Sequence, residues 1–494
     1  MCPRFRLRSA ICVVLLSSLW LGGCGTTTNL VTGETQRGAY TWQEEVRLGA
    51  EADQQVIAQF GLYDDPQLAA YVDRLGQAVL QTSAYGQAET PAEIRATPFH
   101  FRVLDSPVVN AFALPGGYIY VTRGLLAHLD SEAQLAVVLG HEIGHVLARH
   151  ASRRAASAQL GQLGLLGAAV LGGILGGGNV AQGILDYGGV GVQLLFLSHS
   201  REDEREADRA GVAYAEFAGY DAAEAAAFFD SLERLGTRQG GGLPSFLSTH
   251  PDPAERKQTI PQLAAQYDSG TEVNARGFLA EIDGIVLGDD PRQGFEEGGR
   301  FYHPELRFQF DVPTGWAVLN TPSAVQVSEP NGRATLQFTF AQEASAQAAG
   351  RAFASQQGVQ VRRQGAVSVN GNAAYRVEGT ANTEQGALGF LAYFIEYGGN
   401  VYRFLGLAPA SSFRTYANAL EASQRSFARL TDSRYLNREP VRLDVVSADR
   451  TAAFSSFLRG RSVPPGFTEE ELAILNQLGL TSTVPAGSFL KLPR

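Results

Sequence analysis

The chain of 494 residues is poor in cysteine: Cys2, Cys12 and Cys24 are the only three, and all lie within the first 24 positions. This excludes a disulfide framework in the body of the protein and a cysteine-ligated metal site, so any metal must be held by His, Asp or Glu. An excess of basic charge is also lacking. With 40 Lys and Arg against 50 Asp and Glu the net charge is -10, with no basic stripe, which leaves nucleic acid without an electrostatic footprint. There is no internal repeat and no tetratricopeptide pattern. The hydrophobic fraction of 45% is that of ordinary globular domains. At about three times the usual single-domain size, the length allows several of them.

At the start, Arg4, Arg6 and Arg8 precede an apolar stretch from Ala10 to Leu21 and then "LGGC", the layout of a secretory signal. "LGGC" is also similar to a bacterial lipobox. That likeness implies a signal peptide over 1–23, lipid on Cys24 and, with Gly25 rather than Asp next, an outer-membrane lipoprotein facing the periplasm. The alternative is an ordinary signal in which Cys24 is incidental. Small and polar residues make 24–41 a tether. A mainly helical domain is expected over 42–270 and a linker over 271–297. Over 298–430 the runs "ELRFQFDVP", "ATLQFTFAQ" and "NVYRFLGLA", with an Ala-rich helical stretch near 344–356, predict a small α+β domain. From 441 to 494, "TEEELAILNQLGL" and "VPAGSFLKLP" predict a short helix and a strand in a small C-terminal module.

The chemistry concentrates in "LAVVLGHEIGHVLARH" (135–150). Ser131 and Gln134 form a capping-box pattern at the start of this helix. Positions four apart share a helical face, so His141 and His145 can reach one ion, while Glu142, rotated one position, can reach a water on that ion without ligating it. Zinc acidifies such a water and the glutamate accepts its proton. Gly144 leaves room for a neighbouring chain or substrate. Two imidazoles leave a catalytic site one protein ligand short. Downstream, in "FLSHSREDEREADRAGVAYAEFAG", helical phase puts Glu204 and Asp208 on one face with Leu197, Ser200, Ala207, Gly211, Ala215 and Ala218. Glu202, Glu206 and Arg209 fall on the opposite, solvated side. Glu204 is thus the candidate third ligand, and Asp208 a carboxylate that orients a ligating histidine. The alternative is that all these acids form a charged surface. His-His-carboxylate ligation suits one Zn2+ per chain better than other divalent ions.

"HEIGH", the Glu-x-x-Ala-Asp form within "SREDEREAD", and the upstream "NAFALPGGYIYVTRGLL" resemble the HtpX and CAAX-prenyl-protease type of zinc metallopeptidase. The likeness is to its bacterial lipoprotein and periplasmic branch, BepA-like and LoiP-like, and spans roughly Asn29 to Ile260, beginning with "NLVTGE". The resemblance implies a mainly α (α+β) gluzincin-type metallopeptidase domain in a multidomain chain. It implies that His141, His145 and Glu204 bind zinc, that Glu142 is the general base and that Asp208 supports a ligand. It further implies that Asn110 of "NAFA" holds substrate backbone, and that His250 of "STHPDPAER" lies over the metal, as an oxyanion donor or as a plug in the open coordination site. Asp252 is placed to cap the helix that follows, with Pro253 in its first turn. His128, His150 and His199 share no helical face with a motif position.

The strand reading of "GGYIYVTRG" suggests an exposed edge on which extended substrate could pair. The uncharged run 155–185 is read as a mobile helical lid or hairpin, with a membrane span as the alternative. "FYHPELRFQFDVPTGWAV" resembles the opening of PsbP- and Mog1-like domains, and the C-terminal module is faintly similar to a LysM-type fold; both can equally pack on the peptidase. Two functions are expected to compete. One is a zinc endopeptidase acting on misfolded or damaged envelope proteins. The other is a latent or non-catalytic, chaperone-like lipoprotein that holds clients.

Overall fold

The computed structural model describes residues 25–164, 199–237, 246–250, 252–267, 269–383, 386–461 and 463–494. The expected signal peptide, the lipidation site Cys24 and the 165–185 part of the lid-or-span segment lie outside the described residues. Among the described residues, no helix is long and apolar enough to cross a membrane.

The expected tether folds. Strands β1 (Gly25–Thr28) and β2 (Thr35–Gly38) pair as an antiparallel hairpin. Its polar groups find partners on the body: the Leu30 amide donates to the Leu147 carbonyl at 3.2 Å, and Gln36 to the Ala148 carbonyl at 2.6 Å. Small polar residues read as tether because composition cannot see such docking.

Helix α1 (Trp42–Phe60) starts at a full capping box between Thr41 and Glu44, and α2 (Pro66–Thr82) at Asp65 with Pro66 in its first turn. A short helix α3 (Ala92–Arg95) leads to a three-stranded sheet of β3 (His100–Leu104), β4 (Ala111–Leu114) and β5 (Tyr118–Thr122), in the order β3-β5-β4. "GGYIYVTRG" therefore supplies the central strand, and the expectation of an exposed edge there is corrected. The apolar run Ile119–Val121 is buried, as a central strand must be, and the edges are β3 and β4, the latter headed by Asn110.

After α4 (Arg123–His128) comes α5 (Glu132–Leu147), buried at every position but Glu132. Its cap is half of the expected box. Ser131 Oγ accepts from the Gln134 amide, but the Gln134 side chain turns to the Asp130 amide and to Gln477. Arg149, left-handed at φ 59°, turns the chain into α6 (His150–Gly164). Helix α7 (Arg201–Phe217) crosses α5 at close range. A Cβ on Gly140 would stand 3.0 Å from Gly211 Cα, one on Gly211 2.7 Å from the His141 amide nitrogen, and one on Gly144 3.0 Å from Ala210 Cβ. The small-residue strip of α7 meets the glycines of α5, so Gly144 makes room for a helix of this chain. Helices α8 (Ala225–Gly236), α9 (Phe246–Thr249) and α10 (Pro253–Ala264) complete this layer.

The expected linker also folds: α11 (Ala275–Ile282) buries Phe278, Leu279 and Ile282 in the same core. Its apolar positions recur at helical spacing, which drives this burial. The chain then leaves for the α+β domain. Strands β6 (Phe295–Glu297), β7 (Arg300–His303) and β8 (Phe308–Asp311) make a sheet with the later β16 (Ala428–Arg429). A seven-stranded antiparallel sheet contains β9 (Ala317–Thr321), β10 (Ala324–Ser328), β11 (Thr335–Phe340), β12 (Val359–Val369), β13 (Asn372–Thr383), β14 (Gly386–Tyr397) and β15 (Asn400–Pro409). Helix α12 (Ala346–Ala354) joins Phe390, Ala392 and Phe394 in one cluster, while α13 (Phe413–Arg425) brings Leu420 to Leu391, Tyr393 and Ile395 in another. Alternate residues of β14 thus serve two cores, which is why "GFLAYFIEY" reads as almost continuously apolar.

The C-terminal residues return to the first core. Strand β17 (Leu443–Ser447) pairs with the last strand, β18 (Phe489–Pro493), and α14 (Glu469–Leu475) lies between them in sequence. Leu443, Phe454, Leu472, Leu475, Leu490 and Leu492 share one hydrophobic cluster with α2, α5 and α11. Lys491, 1% exposed, donates to the Ala127 and Leu129 carbonyls at 2.8 Å and pairs with Asp130 at 2.6 Å.

Two stability outcomes follow from these contacts. Lys491→Ala strands those acceptors and should lower unfolding free energy by roughly 2–4 kcal/mol in denaturant titration. Gly211→Ala, which gains about 1 kcal/mol on an uncrowded helix, should instead cost about 1–3 kcal/mol because it forces α5 and α7 apart.

Candidate functional site

The α5–α7 crossing brings His141, His145 and Glu204 together, and the loop after α9 adds His250. The four side chains offer donor atoms that all lie within 4.8 Å of one another, and all four residues are buried. His141 Nε2 is 3.0 Å from His145 Nε2 and 3.2 Å from His250 Nδ1. Glu204 lies 3.0 Å from His250 Nδ1, 3.3 Å from His145 Nε2 and 3.6 Å from His141 Nε2. A tetrahedron around zinc with bonds near 2.0–2.1 Å has edges of roughly 3.3–3.4 Å. Three imidazole nitrogens pointing at one another cannot all be satisfied by shared protons, whereas one cation satisfies them together. The residues present fit zinc.

His250 is held by backbone bonds, its amide to the Phe246 carbonyl at 2.7 Å and the Phe246 amide to the Val109 carbonyl at 2.9 Å. Its ring stacks on Phe246 with centroids 4.5 Å apart. Asp252, expected to cap α10, adopts φ 65° with no side-chain cap bond and pairs with Arg201 at 2.7 Å. Pro253 in the first turn supplies the helix start instead.

Glu142 points toward the same space. Its Oε1 is buried with no hydrogen-bond partner, 3.5 Å from His250 Nε2, which is likewise unpartnered. Burial, with Glu204 adding to it, pushes the Glu142 carboxyl above its ordinary range. Burial opposes ionisation of Glu204 as well, but His250, His141 and Arg256 outweigh it and hold that carboxylate well below the usual range. At His250 burial disfavours the cation, yet Glu204 and Glu142 prevail and raise its pKa. His145 is held well below the usual imidazole range by burial and neighbouring imidazoles.

Asp208 accepts from His141 Nδ1 at 2.9 Å, which orients the Nε2 lone pair toward the cluster. Arg256 of α10 grips Asp208 from behind, Nε to Oδ2 at 3.0 Å and Nη2 to Oδ1 at 2.5 Å, with its guanidinium 4.1 Å from the Phe229 ring centroid. Burial works against the Asp208 charge, but Arg256 and His141 keep its pKa low. The Asn110 amide donates to Thr122 Oγ1 and its carbonyl accepts from the Thr122 amide, while its side-chain Oδ1 is buried without a partner.

Sequence reasoning missed several neighbours. Glu206, read as solvated, is buried: Asn29 donates to it, and His150 lies 3.6 Å away. His150 Nδ1 is 2.7 Å from His145 Nδ1, and the His199 ring centroid is 3.8 Å from that of His145. Helical phase could not find His150, because Arg149 breaks the helix and resets it. The "ARH" signal exists only once that turn is known. His128 stays apart, bonded to the Gly124 carbonyl and held by burial at about 4.

Comparison with known proteins agrees with this geometry. The model of Peptidase family M48 matches residues 63–264. The chain is 30% identical over 217 residues to the β-barrel assembly-enhancing protease of Escherichia coli, covering 43% of this chain and 42% of that protein. It is 36% identical over 162 residues to the mitochondrial metalloendopeptidase OMA1 of Arabidopsis thaliana, covering 32% of this chain and 30% of that protein. The chain thus spans about two fifths or less of the length of these curated relatives. Among solved structures, the cyanobacterial PsbP of Synechocystis matches with 18% identity and a TM-score of 0.23, over 26% of this chain and 91% of that one. Residues 63–264, which hold the whole buried ligand cluster, are thus similar to the zinc metallopeptidases of family M48.

Proposed function

We propose that the chain is a zinc-dependent endopeptidase that cleaves misfolded or damaged proteins of the cell envelope. The observation that carries this reading is the convergence of His141, His145 and Glu204 beside a buried, unpartnered Glu142. A binding scaffold has no physical need to keep such a carboxylate desolvated. His141, His145 and Glu204 would hold one zinc ion, which when bound activates water and polarises a peptide carbonyl at neutral pH.

Glu142 is the general base: its raised proton affinity suits it to take a proton from the attacking water at Oε1 and to return it to the leaving amine. Asp208, braced by Arg256, keeps His141 in its ligating tautomer. Substrate backbone would lie along the β4 edge, with the Asn110 Oδ1 accepting from a peptide N–H. His250 presents Nδ1 among the donors, which supports its role as a plug in the fourth coordination position and hence a weakly active resting enzyme. The same observation favours a latent, client-holding state as the second reading. Envelope location and lipid on Cys24 rest on the signal-like N-terminus. The relatives named for β-barrel assembly point the same way.

Metal analysis and cleavage of an unfolded substrate such as casein test the proposal. Glu142→Gln should keep one zinc per chain while lowering turnover about 10²–10⁴-fold; retained turnover removes Glu142 as the base. His250→Ala should raise basal casein cleavage above wild type, and a fall instead would assign His250 to the oxyanion.

A further inference from the structure

We propose that the N-terminal hairpin belongs to the metal-site machinery: Asn29, through Glu206 and His150, sets the tautomer of His145 so that its Nε2 meets the ion with a free lone pair. The inference rests on the zinc reading above. The two ligating histidines are supported differently. His141 has a carboxylate directly on Nδ1, whereas His145 Nδ1 faces another imidazole, His150 Nδ1, at 2.7 Å. Between two imidazole nitrogens one must donate and the other accept. If His145 ligates through Nε2, its proton sits on Nδ1, so His150 Nδ1 is the acceptor and the His150 proton must sit on Nε2.

That Nε2 belongs to a fully buried ring and has no hydrogen-bond partner, but it faces Glu206 Oε2 at 3.6 Å and Asp203 Oδ1 at 3.8 Å. Both carboxylates favour a proton at that position. Asn29 is 2% exposed; its Nδ2 donates to Glu206 Oε1 while its Oδ1 accepts from the Val31 and Thr32 amides. The hairpin turn thus fixes the amide that fixes the carboxylate. Asn29, Glu206 and His150 are positioning residues: His150 touches His145 at Nδ1, not at the Nε2 that faces the cluster, and Asn29 and Glu206 act through His150.

The test is zinc affinity of the purified full chain, read by transfer of zinc to a chromogenic chelator, with apo-protein melting as the fold control. Asn29→Asp keeps the Oδ1 acceptor that builds the turn and puts a carboxylate oxygen in place of the donor to Glu206. It should weaken zinc binding about 10–100-fold with the apo melting temperature unchanged, and Glu206→Gln should do the same. In His150→Gln the amide oxygen can accept from His145 Nδ1 without help from Glu206. That variant should hold zinc near wild-type affinity, and adding Asn29→Asp to it should change affinity by less than about twofold. Wild-type affinity in Asn29→Asp, or an undiminished Asn29→Asp effect in the His150→Gln background, overturns the relay. A chain that binds zinc with this dependence but cleaves no casein upholds the relay and removes the peptidase; a wild-type chain that takes no zinc removes both.

Discussion

The close crossing of α5 and α7 is the constraint on which the site depends. Gly140 and Gly144 on one helix and Ala207, Ala210 and Gly211 on the other let two backbones approach until an added methyl group would touch the opposing main chain. Only at that separation do short carboxylates on α7 reach imidazoles on α5. Helix propensity is sacrificed for it, since glycine in a helix interior costs about 1 kcal/mol relative to alanine. Burial of nearly the whole of α5 compensates through the hydrophobic effect.

Around that crossing, charge is arranged in opposed pairs. Asp208 stands between Arg256 and His141, and Glu45 is buried beneath Arg149 with Nε–Oε1 at 2.9 Å. The second pair explains a backbone feature. Arg149 sits in the left-handed region, unfavourable for a side-chain-bearing residue, and its guanidinium is tied to Glu45 and to the Tyr40 carbonyl. The turn it makes delivers His150 to the back of His145. Removing a water-accessible path from these groups strengthens each interaction and makes each more costly to lose.

Much of this was legible in the sequence because it is local or periodic. His141, Glu142 and His145 follow from spacing on one helix, and phase on a second helix separated Glu204 and Asp208 from Glu202 and Arg209. The same phase argument misplaced Glu206, since it assumed that only one face of α7 is covered. In fact the N-terminal hairpin covers another, and Asn29 is 177 positions away. Arg256, likewise, gains meaning only from a contact between α10 and α7. The folded tether, the helical linker and the central position of β5 were hidden for a related reason. Local composition reports preference, while burial against a distant element decides structure. The α+β domain was easier, because its strands carry their own alternation and two clusters of aromatic side chains.

The C-terminal strand gives the molecule a temporal property. Leu490 and Leu492 fill the hydrophobic core that supports α5, and Lys491 satisfies three acceptors around the end of α4, more than three hundred and fifty positions earlier. A ribosome delivers these residues only after the whole interposed β-rich unit has emerged and had time to fold by itself. A nascent chain therefore carries its histidines and glutamates long before the strand that braces α4 and α5 can dock, so rigid assembly of the cluster waits for residues far downstream of it.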